Sequence, residues 1–155
     1  MSAAVTIRVE EADFDLAAEI DALVAAGHDV GAVATFTGHC RSEAGRLAGL
    51  ELQHYPGMAE AEIRRVIEEA LARWPAVSAV TVLHRHGLIR PGGRIVLVAV
   101  AAGHRGEAFA AAEFLMDFLK TRAPFWKREH LSDGTLGAWV EAKDADDEAA
   151  ARWNF

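Results

Sequence analysis

The 155-residue chain has one cysteine, four prolines, three lysines and a single tyrosine. A lone cysteine excludes a disulfide framework and any metal site built from several thiolates. No apolar run reaches the roughly 18 residues that a membrane span needs. The opening stretch MSAAVTIRVEEADFD has neither a basic start nor a long apolar segment. No signal peptide is expected, and the cytoplasm is the expected compartment. Net positive charge is lacking too: 16 Lys+Arg against 23 Asp+Glu leave −7. That balance argues against binding nucleic acid, which needs a basic face. Apolar residues are plentiful, at 52%, enough at this length for one domain over residues 1–155 with its own core.

The charge is unevenly spread. Between His84 and His130 there are eight Lys+Arg against four Asp+Glu, and elsewhere eight against nineteen. Two of the three lysines, Lys120 and Lys127, lie in that basic segment. An acidic chain with one basic stretch points to a local anion site.

Periodicity predicts strands over 4–9, 31–40, 50–55, 79–84 and 94–102. The last is almost wholly apolar and reads as a central strand covered on both faces. A helix capped by Asp13 or Asp15 runs to about Ala26. A second, over Met58–Trp74, carries the stripe Ile63, Val66, Ile67, Ala70, Leu71 and Trp74, and Pro75 stops it. A third, from about His104 to Thr121, is apolar on most of its surface, as a helix that is buried or at an interface would be. Strands over 125–130 and 136–140 flank a Ser132-Asp133-Gly134 turn, a hairpin signal. Residues 41–49 read as a mobile loop, and the acidic stretch 144–155 as a flexible tail or frayed helix. The fold class is α/β or α+β, in a single domain.

Several residues can carry chemistry. His104 and Arg105 open the third helix, where unpaired backbone N–H groups and the positive dipole end attract anions; they also read as a capping histidine and a solvated arginine. Lys120 ends the same helix, where the dipole favours a cation whatever its function. Lys127 follows on a strand, with Phe125 and Glu129 on its side, and reads equally as a solvated edge lysine. Either lysine can hold a carboxylate or phosphate, or act as base or nucleophile if its pKa is lowered. Arg41 lies just past a strand end, where sites often form, and reads also as an ordinary loop arginine. Cys40 reads as a small buried hydrophobe, with no pattern marking an activated thiolate. His84, Arg85 and His86 close a strand without metal-type spacing, so no metal site is expected.

The segments TFTGHCR (35–41), HYPGM (54–58), HRHG (84–87), PGG (91–93), HRGEAF (104–109) and LKTRAPFWKRE (119–129) together resemble the large, catalytic subunit of molybdopterin synthase. The likeness runs from about Gly31 to Val140, and the LKTRAPFWKRE block is its most specific part. The chain departs from the family at Gly93, usually acidic, at Cys40, usually apolar, and in a shorter 42–49 loop. The resemblance implies a mixed or antiparallel sheet packed by helices, α/β-hammerhead-like, with a C-terminal hairpin. It implies a sulfurtransferase of molybdenum cofactor biosynthesis. Sulfur arrives as the C-terminal thiocarboxylate of a small ubiquitin-like carrier ending in Gly-Gly, and two sulfurs turn cyclic pyranopterin monophosphate into the dithiolene of molybdopterin. The implied assembly is a heterotetramer around a homodimer of large subunits, with no nucleic acid and no membrane.

Residue roles follow from the same resemblance. Lys120 lies at the carrier's thiocarboxylate, and Lys127 is a second catalytic lysine near the pterin. Arg41, His104 and Arg105 bind the anionic substrate, and Glu129 orients Lys127. No cofactor and no metal are implied, since the nucleophilic sulfur belongs to the partner. Two other readings compete: a non-catalytic anion-binding module for a phosphorylated metabolite or nucleotide, and a scaffold that docks a ubiquitin-like protein.

Overall fold

A computed structural model of the chain describes residues 2–140 and 144–153. Its elements run β1 (Ala4–Glu10), α1 (Leu16–Ala26), β2 (Ala32–His39), β3 (Leu47–His54), α2 (Met58–Arg73), β4 (Val77–Arg85), β5 (Gly87–Ile89), β6 (Arg94–Ala102), α3 (Arg105–Thr121), β7 (Phe125–Leu131), β8 (Leu136–Val140) and α4 (Asp144–Ala151). The strands form two four-stranded sheets, ordered β1-β4-β6-β2 and β5-β3-β7-β8. The first sheet is mixed, with β1 parallel to β4 and the other pairs antiparallel. The second is antiparallel throughout and ends in the β7–β8 hairpin. The α+β class expected from the alternating pattern holds, divided over two sheets.

β6 is the central strand that its apolar run predicted. Alternate side chains of a strand point to opposite faces. Val96, Val98 and Val100 accordingly join the core under α2 and α3, while Leu97, Ala99 and Ala101 join Phe14 and Leu23 under α1. The larger core contains Phe114 and Phe118 from α3, both fully buried. Truncating either to alanine should cost about 3–5 kcal/mol. The β2 entry is tight: a Cβ on Gly31 would stand 2.2 Å from the carbonyl oxygen of Gly103. Glycine there lets β2 and the start of α3 approach each other.

Both caps of the first two helices are visible. Asp15, not Asp13, caps α1 by accepting from the Ala18 N–H; Asp13 pairs with Arg94 instead. Before α2, Gly57 adopts φ +83° and its N–H donates to Glu60. That left-handed turn is open to glycine at little cost.

Four expectations change. β3 begins at Leu47, so the polar loop ends at Arg46, and it is tied down. Leu47 N–H donates to the Ser42 carbonyl at 2.9 Å, Ser132 N–H to the Arg46 carbonyl at 2.9 Å, and Arg46 pairs with Glu129. β5 was not foreseen, because three residues are too few to show a period. β7 lies between β3 and β8, so Lys127 is not an edge lysine. The described part of the acidic tail forms α4, which docks rather than frays: Ala150 is buried, Arg152 pairs with Glu113 and Asp117, and Trp153 meets Trp74 and Phe114 edge to face. Residues 141–143 and 154–155 lie outside the described part.

Candidate active site

Where the last turn of α3 and strands of both sheets come together, a cavity of about 120 Å³ opens. Lys120 reaches it from the last turn of α3 and Lys127 from the middle of β7. Pro124 makes this possible. It ends the helical run, and the chain reverses into β7 within a few residues. Two lysines seven residues apart therefore meet from different elements. Much of the remaining wall is apolar, including Leu50, Leu52, Ile95, Met116 and Leu119. No carboxylate lines the cavity among the described residues. Two ammonium groups over apolar walls suit an anion, since low local dielectric strengthens the attraction.

His84 forms part of the same wall. Its ring stacks on Phe125, with centroids 3.8 Å apart and planes 16° from parallel. The row continues outward through His54, 6.0 Å from Phe125, to His86, 4.5 Å from His54. His54 and His86 open on a second, broader depression of about 680 Å³, beside Tyr55, Trp126 and Trp139. Burial, with Lys120 nearby, pushes the His84 pKa down to about 4, so this imidazole is neutral at physiological pH.

The other expected residues divide. Arg41 is exposed, two residues beyond the lining residue His39, and lies 3.8 Å from Glu43. Arg41 itself does not line the cavity. Glu129 does not line the cavity; its carboxylate takes the Arg46 guanidinium at 2.9 Å. The expected orienting of Lys127 by Glu129 thus meets a competing partner from the 41–46 loop. His104 and Arg105 are exposed at the other end of α3. His104 stands at the N-cap position, yet its side chain makes no capping hydrogen bond. At 1.5 Å per residue, Arg105 starts ~22 Å along the axis from Lys120. One copy of the chain therefore joins the two lysines and leaves the His104–Arg105 pair apart.

Cys40 is 4% exposed, packed with Leu52 and Ile89. Burial raises its thiol pKa above the ordinary value, which keeps it protonated and unreactive at neutral pH. Reasoning from sequence weighed His84 only as a metal ligand and set it aside, and it did not place Met116 or Arg46 at the site. A histidine inside an otherwise apolar strand was the available signal for the first. Arg46 had none, because its partner Glu129 is 83 residues away.

The chain resembles known proteins over nearly its whole length. The family model described as MoaE protein matches residues 9–122. The molybdopterin synthase catalytic subunit of Mesorhizobium japonicum is 61% identical over 148 residues, covering 96% of this chain and 92% of that protein. The corresponding subunit of Rhizobium meliloti is 60% identical and covers 99% and 98%. The solved structure of the molybdopterin biosynthesis MoaE protein from Burkholderia ambifaria superposes with a TM-score of 0.83 at 47% identity, over 100% of this chain and 99% of the other. With the family model matching well over half of the sequence, and relatives this similar end to end, the chain belongs to the MoaE family.

Proposed function

We propose that this chain is the catalytic subunit of a molybdopterin synthase. It takes sulfur from the C-terminal thiocarboxylate of a small ubiquitin-like carrier ending in Gly-Gly. It delivers that sulfur to cyclic pyranopterin monophosphate, forming the dithiolene of molybdopterin. The observation that carries this reading is the meeting of Lys120 and Lys127 in one cavity that, among the described residues, no carboxylate lines, in a chain otherwise acidic. A thiocarboxylate is an anion that must lose its solvation to react. Lys120, fixed at the helix end, stabilises the charge that builds on the carrier's carbonyl oxygen as sulfur is transferred. Lys127 holds the pterin side. Arg41 binds an anionic group of the substrate, and Glu129 contributes to substrate binding through its neighbour Lys127.

His104 and Arg105 bind the substrate phosphate from a second copy of the chain. α3 is too long for one copy to supply both its ends to one small molecule, whereas a two-fold pair offers one copy's helix start to the other's cavity. The functional unit is therefore a homodimer of this chain with one carrier on each copy, a heterotetramer. Among the described residues no helix is long and apolar enough to cross a membrane, and the assembly works in the cytoplasm.

The test mixes the protein with thiocarboxylated carrier and the pyranopterin and follows the pterin by mass spectrometry. A gain of two sulfurs is expected. Binding of the pterin without any gain would leave a non-catalytic anion-binding module and overturn the proposal.

A further inference from the structure

Sulfur transfer from an acyl group leaves one chemical role unfilled by the lysines. Once the carrier's sulfur has bonded to a pterin carbon, that sulfur joins both partners, and the carrier departs only when its acyl C–S bond breaks. Water supplies the oxygen that replaces sulfur on the acyl carbon. An attacking water needs a hydrogen-bond acceptor to aim its lone pair, and both lysines of the cavity are donors when charged.

His84 has the required properties. It is 8% exposed, at the end of β4, and its ring lines the cavity with Lys120 and Lys127. Nδ1 lies 2.9 Å from the Arg85 carbonyl oxygen. A carbonyl oxygen only accepts, so Nδ1 carries the hydrogen and Nε2 the lone pair. Among the described residues Nε2 has no protein hydrogen-bond partner. The stack on Phe125 fixes the ring plane. The titratable groups acting on the ring are Lys120, His54 and His86. None is acidic; the Arg85 carbonyl favours the imidazolium, but burial outweighs it and the ring stays neutral. His39, the other imidazole of the lining, is exposed and held at the rim by the Gly92 carbonyl.

We propose that His84 is a further residue of the reaction site, whose Nε2 holds the water that releases the carrier. This rests on the sulfurtransferase reading above. The water oxygen bonds to the carrier's terminal carbonyl carbon, and the C–S bond breaks with its electron pair passing to sulfur. Sulfur stays on the pterin and takes one water proton as a thiol. The carrier leaves as a carboxylate, and the second proton passes to solvent. No oxidant or reductant is consumed.

The experiment is a single-turnover reaction of the whole protein with thiocarboxylated carrier and pyranopterin, quenched in acid and read by intact mass. His84→Phe keeps a ring for the Phe125 stack and removes the acceptor; His84→Gln keeps an acceptor oxygen. In His84→Phe the covalent carrier–pterin adduct should accumulate, its decay slowed ~100-fold while its formation stays close to the wild-type rate. His84→Gln should fall between the two, and it carries the test alone if His84→Phe does not fold. In ¹⁸O-labelled water the released carrier should gain one labelled oxygen. Adduct decay at the wild-type rate in the variants, equal slowing of formation and decay, or carrier without label would each overturn the role of His84. Wild-type protein that forms neither adduct nor two-sulfur product would overturn the sulfurtransferase reading itself, and this role with it.

Discussion

Lys120 owes its place to two effects that act together. The C-terminal turn of α3 concentrates partial negative charge from unpaired carbonyls, which favours a cation there. The hydrophobic side chains around it, Met116 and Leu119, bury the helix and carry its end to the cavity. Replacing Lys120 by alanine removes the charge and leaves the buried face intact. Dithiolene formation should fall at least ~100-fold, with carrier and pterin binding retained in a pull-down and a titration; near wild-type turnover would refute the role. Cys40 is the opposite case, a conspicuous residue with a dull environment. Cys40→Ser should remain active and lose about 1–3 kcal/mol of stability, the cost of burying a hydroxyl in an apolar cluster, measured by urea unfolding. Both residues were legible in the sequence, one by the scarcity of lysine and the other by its apolar flanks. Glu129 was less so, since its Arg46 partner comes from a loop far along the chain.

At the scale of elements, long periodic segments were legible and short ones were not. α2, α3 and β6 each bury enough side chains to print a period on the sequence. β5 is defined by pairing with the middle of β3, and the first residues of β3 by pairing with β7. Glycine and polar residues there look like loop until a partner satisfies their backbone groups. α3 also separates two groups of candidate residues by its length. Mixing Lys120→Ala protein with Arg105→Ala protein, after dissociating and reassociating both, should restore about one quarter of wild-type activity at limiting pterin. Half of the random pairs then hold one intact site of two. Sites built within single copies would show no recovery.

Over the whole molecule, the −7 net charge conceals a basic cavity wall within an acidic surface. The same wall makes the fold sensitive to acid. His84 has a pKa of about 4 when folded, against about 6.5 in an unfolded chain. Above pH 6.5 both states hold a neutral ring. Between 6.5 and 4 the unfolded state binds the proton first, so stability falls as pH falls, by up to about 3 kcal/mol. Below 4 the difference no longer grows. His54, lowered by burial and by His86, adds in the same direction. Urea unfolding at pH 7, 5.5 and 4.5 should show this loss, and His84→Phe should flatten it. An unchanged slope in that variant would place the acid sensitivity elsewhere.

By itself the sequence determined the α+β class, the central apolar strand, the buried third helix, the inert cysteine and the pair of lysines. Each of these rests on local chemistry: side-chain period, helix-end charge, the stop imposed by proline. Only the tertiary structure decided that the strands form two sheets and that both lysines share one cavity. It also decided that Glu129 answers to Arg46, that the acidic tail docks on α3, and that a neutral histidine stands beside Lys120. Those depend on contacts between residues far apart in the chain, where the energy of burial and pairing appears only once the elements have met.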